Sequence, residues 1–195
     1  MSNAYSELVA RISGGEALTR DEAQSLLSTE DGQDFALIEA ASALRRQEFR
    51  NVIAIHTEDE ELAEALGTRS ISIDSYEILD ISQDIDSHEL ADRMVALGAG
   101  KSTGITVKLP QQAVPMTLMR ILSVLRLAAP DKVIHLPEGY EEPLRSLASL
   151  AMHIVSAITI TDDIERWPLV NETLKALRHG GIVIAGSGSR DALAG

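Results

Sequence analysis

The chain contains no cysteine in its 195 residues. This absence excludes disulfide bonds, catalysis by a thiolate and an iron–sulfur cluster held by cysteines. Aromatic residues are also scarce, at 3% of the chain, so a core must be built from Ala, Leu, Ile and Val. Cores of this composition are typical of proteins in which helices and strands form layers.

Long apolar runs and basic residues are the other absences. No run approaches the roughly 18 apolar residues that a membrane-spanning helix needs, and the N-terminus lacks the basic and apolar regions of a signal peptide. The 17 Lys and Arg residues against 30 Asp and Glu give a net charge of −13. Such a charge repels phosphate backbones and anionic lipids. We therefore expect a cytoplasmic protein that binds neither nucleic acid nor membranes.

What the chain does contain is the composition of one compact globular domain, with 45% hydrophobic and 24% charged residues. Residues 1–50 have helical patterns throughout. Thr19 and Glu22 have the spacing of a capping box at the start of the second helix. In the third, apolar residues recur at helical spacing from Phe35 to Phe49. These patterns predict an N-terminal helical cap over residues 1–50.

From Asn51 onward, short β-branched segments alternate with helical patterns. This alternation predicts about six βα units and a parallel sheet over residues 51–195, in one compact domain with the cap. The sheet is expected to be a partial or shortened TIM-type barrel, with an open Rossmann-like sheet as the alternative. The six predicted strands lie in the segments "NVIAIH", "SISID", "GITVKL", "KVIHL", "VSAITIT" and "GIVIAG".

The stretch "ALGAGKSTGITVKL" contains the GKS letters of a nucleotide-binding loop. That loop needs a preceding strand, a Gly five residues before the second Gly and a following helix. Here Val95 takes the position of the first Gly, a helical pattern precedes the letters and a strand pattern follows them. We therefore reject a phosphate loop and predict that Gly98 ends a helix as a left-handed cap.

Polar residues follow the predicted strands, where parallel sheets place their ligands. They could form the rim of a small-molecule pocket, or His56, Asp74 and His135 could support acid/base or metal-assisted chemistry. They show no metal-binding spacing, so neither a metal site nor a cofactor is predicted. The pocket candidates are His56, Asp74, Lys108, His135, Glu138 and Asp162, with Thr161 beside the last.

The closing segment "IVIAGSGSRDALAG" has a strand pattern, a Gly and Ser run and a short helical pattern in that order. Backbone amides in such a turn can hold an anion. The candidate anion-binding residues are Gly186, Ser187, Gly188, Ser189 and Arg190.

Two longer stretches resemble the biotin synthase-like branch of the radical SAM enzymes. "GGEALTRDEAQSLLS", continuing to residue 53, is similar to the helical segment before the first barrel strand of those enzymes. The segment 114–163 resembles their late-barrel region, in which a helix ends in an R-L-x-x-P phrase, here Arg126, Leu127 and Pro130. Together the two stretches cover about half of the chain. The resemblance implies a barrel-type α/β fold.

The departures from this family concern its chemistry. Its three-cysteine loop after the first strand reads "HTEDEELAEALG" here, so a [4Fe–4S] cluster has no anchor and the chain cannot be a functional radical SAM enzyme. The middle of the barrel is also shorter. The resemblance then implies a cluster-less, non-catalytic accessory or small-molecule-binding protein, serving cofactor biosynthesis with a radical SAM enzyme or another copy of itself as partner. The alternative is a non-radical enzyme that uses the strand-end His and Asp residues.

Overall fold

The computed structural model describes residues 3–29, 32–81, 86–161 and 167–185. Within these ranges the sheet has six strands, all of them parallel. The predicted class, a parallel α/β fold with N-terminal helices, is therefore confirmed. The strands are β1 (Val52–His56), β2 (Glu77–Asp80), β3 (Gly104–Lys108), β4 (Val133–Leu136), β5 (Ala157–Thr159) and β6 (Val183–Ile184).

The strand order across the sheet is β2-β3-β4-β5-β1-β6. Strands β2 to β5 are neighbours in chain order, as they are in part of a barrel. Strand β1 lies between β5 and β6 instead of beside β2, so the sheet remains open, consistent with a partial barrel. As a consequence, the carboxyl ends of β3, β4, β5 and β1 follow one another along a single edge.

Helices flank the sheet, and three of them precede the first strand, as predicted. No helix of the described part of the chain has the length and apolar character to cross a membrane. The α-helices are α1 (Asn3–Ser13), α2 (Arg20–Leu27), α3 (Asp34–Phe49), α4 (Glu60–Ala65), α5 (Ser87–Ala99), α6 (Pro115–Ala128), α7 (Glu141–Leu144), α8 (Ala148–Ala151) and α9 (Trp167–His179), with a 3₁₀-helix over Arg145–Leu147.

The N-terminal helices share one buried core with the sheet. The capping box at α2 is confirmed, because the Thr19 hydroxyl accepts from the Glu22 amide and the Glu22 carboxylate accepts from the Thr19 amide. Helix α3 packs on α6 and contributes Leu37 and Leu44, both fully buried, to the core. Phe35 is an exception to the predicted pattern, since it is 65% exposed.

One strand prediction is wrong. The segment "SISID", residues 70–74, forms no strand, and β2 begins at Glu77. The segment lies along β1 instead: the Ile71 amide donates to the Ile55 carbonyl at 3.0 Å. Residues 70–74 have the alternating apolar pattern of a strand, whereas β2 has the adjacent pair Ile78 and Leu79, so the pattern alone favours the wrong segment as the partner of β3.

The predicted role of Gly98 is also wrong. Helix α5 continues through Ala99, and Gly98 lies inside it without a left-handed backbone. A Cβ at Gly98 would be 2.0 Å from the carbonyl oxygen of Ala128, the last residue of α6. The glycine is therefore required by the close approach of α5 to the end of α6. The order of elements around "GKS", helix then strand, agrees with the rejection of a phosphate loop.

We expect Gly98→Ala to lower the free energy of unfolding by about 2 kcal/mol, because the new methyl group meets backbone and the two helices must separate. Helix propensity alone predicts the opposite sign, a gain of about 1 kcal/mol. Urea titration decides between them. Gly100→Ala is the matched control, since its Cβ would come no closer than 3.2 Å to the flexible Glu77 carboxylate and to the Leu97 carbonyl oxygen, against 2.0 Å to backbone at Gly98. A stability gain in Gly98→Ala would contradict the packing argument.

Candidate functional site at the carboxyl ends of the strands

The two faces of the sheet differ in polarity. Side chains alternate between the faces of a strand. On β3, Ile105 and Val107 are fully buried in the apolar core, whereas Thr106 and Lys108 lie on the opposite face. The strand register places Thr106 next to His135 of β4 and pairs Thr159 of β5 with His56 of β1. We call this second surface the inner face, and it carries polar side chains from four adjacent strands.

A chain of hydrogen bonds crosses the inner face. His135 Nδ1 lies 3.1 Å from Thr106 Oγ1, and His135 Nε2 lies 2.8 Å from Thr159 Oγ1. The imidazole is completely buried. Both ring nitrogens are therefore satisfied by hydroxyl groups, which can act as donors or acceptors and so suit a neutral ring in either tautomer.

The environment of His135 keeps its imidazole neutral. Burial, and secondly the nearby imidazole of His56, lower the pKa of His135 to about 4. The rings of His56 and His135 meet edge to face, with centroids 6.0 Å apart. At neutral pH, His135 is thus a polar but uncharged group that holds Thr106 and Thr159 in fixed positions.

Tyr76 packs on the inner face near the amino end of β3. Its ring meets that of His135 edge to face at 6.4 Å between centroids. A Cβ at Gly104, the first residue of β3, would lie 2.5 Å from the Tyr76 ring, so the glycine provides the space for this side chain. Burial raises the pKa of the Tyr76 hydroxyl. Tyr76 therefore supports His135 from the amino-terminal side of the sheet.

His56 has a fixed orientation at the end of β1. Its Nδ1 lies 2.8 Å from the carbonyl oxygen of Ile71. Because a carbonyl oxygen only accepts, Nδ1 of the neutral ring carries the proton and Nε2 is left as an acceptor. Two further hydrogen bonds hold residues 70–74 against the end of β1. The Thr57 amide donates to the Ser70 hydroxyl, and that hydroxyl donates to the Thr57 carbonyl.

A cavity of about 540 Å³ opens above these residues, at the carboxyl ends of β1, β4 and β5. Its size lies within the range of small-molecule sites. Among the lining residues that the structure describes, three are acidic, one is histidine and none is Lys or Arg. These described residues are His56, Thr57, Glu58, Asp59, Ile73, Pro137, Glu138, Thr159, Ile160 and Thr161.

A second pocket of about 260 Å³ adjoins the first at the carboxyl ends of β3 and β4. The two share Pro137 and Glu138, which directly follow β4. Lys108, the last residue of β3, lines this second pocket and is exposed. The two pockets together extend along the edge formed by four adjacent strands.

The structure brings most of the predicted pocket residues to this edge. His56, Glu138 and Thr161 line the larger cavity, Lys108 lines the smaller one and His135 lies beneath them. Asp74 does not follow a strand as predicted, because it precedes β2; its exposed carboxylate accepts from the hydroxyl of Ser72 at 3.1 Å. Asp162 and the anion-binding candidates Gly186, Ser187, Gly188, Ser189 and Arg190 lie outside the described residues.

Sequence reasoning missed the two threonines that hold His135. Thr106 and Thr159 lie inside strands and not after them, so a search of strand ends passes over both. The available signal was a threonine among the apolar residues of a strand, as in "GITVK" and "AIT". A parallel strand covered on both faces is normally apolar throughout, so an inward threonine points to a polar partner.

The donor set does not fit an iron–sulfur cluster or a metal ion. A [4Fe–4S] cluster requires thiolates, and the 195 residues contain none. Within the described ranges, no three His, Asp or Glu side chains converge as metal ligands do. Asp59 already has another function, since its carboxylate accepts from the Leu62 amide and caps α4.

Comparison with known proteins finds a partial sequence similarity and no matching family model. A stretch of 88 residues is 35% identical to a biotin synthase from Kocuria rhizophila. The match covers 43% of this chain and 19% of the length of that biotin synthase. No model of a known protein family matches the chain. These findings establish a distant, partial similarity to biotin synthase in a chain without cysteine.

Proposed function

We propose that this chain is a non-catalytic small-molecule-binding or accessory protein, built on the scaffold of the biotin synthase-like radical SAM enzymes without their cluster. The cavity of about 540 Å³ at the strand ends carries this proposal. Its wall includes residues 56–59, the start of the segment "HTEDEELAEALG" that takes the place of the cysteine loop. At this position, where the radical SAM enzymes have cysteine thiolates, the chain has the oriented imidazole of His56 and the carboxylate of Asp59 that caps α4.

A ligand screen tests the binding function. We expect that a metabolite present at about 100 times its Kd stabilises the fold by about 2.7 kcal/mol, which raises Tm by roughly 5 to 10 °C. Thr159→Phe, which fills the cavity from β5, should abolish the shift. Thr103→Phe is the matched control, because Thr103 is exposed and directly precedes β3, at the end of the sheet opposite the cavity. A broad metabolite collection that produces no shift in the wild type would contradict the binding function.

Iron reconstitution tests the loss of the cluster. After anaerobic incubation with iron and sulfide, the desalted protein should contain only background iron, because no thiolate can retain a cluster. A ratio near four iron atoms per chain would contradict the proposal. An unrelated [4Fe–4S] protein treated in parallel verifies that the procedure delivers clusters.

The proposal includes a protein partner, either a radical SAM enzyme in a cofactor-biosynthesis pathway or a second copy of the chain. Support comes from a groove of about 380 Å³ with Val114, 65% exposed, at its margin and the half-buried Leu27 and Ala113 in its lining. Apolar side chains that remain partly exposed around a groove favour association. Mixing with a radical SAM enzyme, followed by size-exclusion chromatography with light scattering, distinguishes a hetero-complex from self-association and from a monomer.

A second candidate function is a non-radical enzyme, and the tautomer of His56 favours it. An imidazole whose Nδ1 proton is donated to the Ile71 carbonyl presents Nε2 as a base. In an enzyme, His56→Gln should abolish turnover and leave ligand affinity nearly unchanged. In a binding protein, the same variant changes only affinity.

A further inference from the structure

We infer that the larger cavity binds a small molecule through a protonated amine, an inference that rests on the binding function proposed above. The described part of the cavity lining contains groups that accept hydrogen bonds or carry negative charge, and it includes no Lys or Arg. A ligand that complements such a lining must bring the donors and the positive charge.

The first acceptor is the imidazole of His56. Its orientation is fixed by the 2.8 Å contact of Nδ1 with the Ile71 carbonyl, and Ile71 is itself held by the hydrogen bond that its N–H donates to the Ile55 carbonyl at 3.0 Å. Rotating the ring to present an N–H to the cavity would break the first of these bonds. His56 therefore offers a preorganised lone pair, which a ligand N–H or O–H can meet without reorganisation of the protein.

Negatively charged side chains lie on opposite sides of the cavity. Glu58 follows β1 and Glu138 follows β4, and both carboxylates are exposed at the cavity margin. Asp59 adds a third negative charge, although its carboxylate already caps α4. The field of these three groups favours a cation and disfavours phosphate or carboxylate ligands.

The body of the ligand meets apolar surface. Ile73, Pro137 and Ile160 line the same cavity, from the segment along β1, from the end of β4 and from the end of β5. Thr159 provides a hydroxyl whose position is fixed by its bond to His135. A compact apolar group with one ammonium substituent thus matches the lining better than a polyanion of the same size.

Three probes of nearly equal shape separate charge from size: cyclohexylamine, cyclohexanol and cyclohexanecarboxylate. In ¹H–¹⁵N NMR titrations, the amine should shift the amide signals of Thr57 and Thr159 and bind about threefold to tenfold more tightly than the alcohol. The carboxylate should not bind. Added salt should weaken the binding of the amine and leave the binding of the alcohol unchanged, because salt screens only the interaction between charged groups.

Charge variants test the assignment to this cavity. Glu138→Gln and Glu58→Gln should each raise the Kd of cyclohexylamine by about threefold. Lys108→Met should strengthen it slightly, since Lys108 lies in the adjoining pocket and opposes a cation. Glu89→Gln, exposed on α5, removes the same charge elsewhere and should have no effect.

Two outcomes overturn the inference: equal or tighter binding of the carboxylate, or no binding of the amine at the cavity amides. If a screened anionic or neutral metabolite nevertheless shifts those amides, the binding function stands and only the preference for an amine is lost. If neither the probes nor the metabolite collection affects the cavity, both proposals fail.

Discussion

Replacing Arg126 with Met should lower the free energy of unfolding by about 4 kcal/mol or more, the largest effect expected of any single substitution considered for this chain. Arg126 is completely buried and hydrogen-bonds to five groups. Met retains the length of the apolar stem but removes the donor from these acceptors in the interior, of which the Ala129 carbonyl keeps a long bond from the Lys132 amide at 3.4 Å. The acceptors are the carbonyl oxygens of Ile154 (2.9 Å), Lys132 (2.8 Å), Pro130 (3.1 Å) and Ala129 (3.3 Å), and the hydroxyl oxygen of Ser156.

The guanidinium remains charged despite its burial. Desolvation, and secondly the charge of Arg45, lower the pKa of Arg126 to about 9, which still leaves it protonated at neutral pH. The ring of Phe49, with its centroid 4.9 Å from Cζ, covers one side of the group. The compensation for burying this charge therefore comes from carbonyl dipoles and a π face.

Urea unfolding of Arg126→Met measures the effect, with Arg46→Met as the control. Arg46 lies on α3 beside the buried Arg45 but is exposed, so its replacement should change stability by less than about 0.5 kcal/mol. Arg126→Lys keeps the charge but has one nitrogen in place of three. Its free energy of unfolding should therefore lie between those of the wild type and Arg126→Met. A Met variant as stable as the wild type would show that the five acceptors find other partners.

Arg45 and Arg126 together explain why the two ends of the sheet differ. Arg45 donates to the carbonyls of Val155 and Val52, which join the amino ends of β5 and β1. Arg126 joins the amino ends of β4 and β5 in the same way. The amino ends are thus tied by buried side chains, while the carboxyl ends of the same strands surround the cavity. The buried arginines and the cavity therefore lie at opposite ends of the same strands.

The fold was largely predictable because its signals are local. Five of the six predicted strands were found where the short β-branched segments occur, and α3 (Asp34–Phe49) covers the predicted helical pattern from Phe35 to Phe49. The failure at "SISID" has a nonlocal cause. Residues 70–74 alternate as a strand does and residues 77–80 do not, yet the hydrogen-bonded pairing with β3 makes the second segment the strand. The order of the strands, with β1 between β5 and β6, is likewise decided by packing of distant segments.

The site was predictable only in part, for a related reason. The position of His56 at a strand end is a local property and was predicted correctly. That His135 lies between Thr106 and Thr159 depends on the register of three strands, separated by 29 and 24 residues along the chain. The space for Tyr76 above Gly104 depends on a segment that crosses from β1 to the far edge of the sheet. A single sequence contains no signal for these distances.

Lowering the pH should destabilise the fold through His135. Its pKa is about 4 in the folded protein and about 6.5 in the unfolded chain, so between these values only the unfolded chain binds the proton. Stability is therefore complete above about pH 6.5 and falls as the pH decreases, until the loss ends near pH 4. The difference in pKa corresponds to about 3 kcal/mol. His135→Gln, which has no titrating side chain, should lack this part of the pH dependence.

Urea titrations of both proteins at several pH values isolate the contribution of His135. His153 also has a pKa lowered by burial and by Arg45 and Arg46, but it is present in both proteins and cancels in their difference. His88→Gln is the control, because His88 is exposed and should give the wild-type curve. Parallel curves for wild type and His135→Gln would mean that the folded protein accepts a proton at His135 readily. In that case Thr106 and Thr159 would hold an imidazolium, and the inner face would carry a positive charge beneath the cavity, contrary to the preference for a cationic ligand.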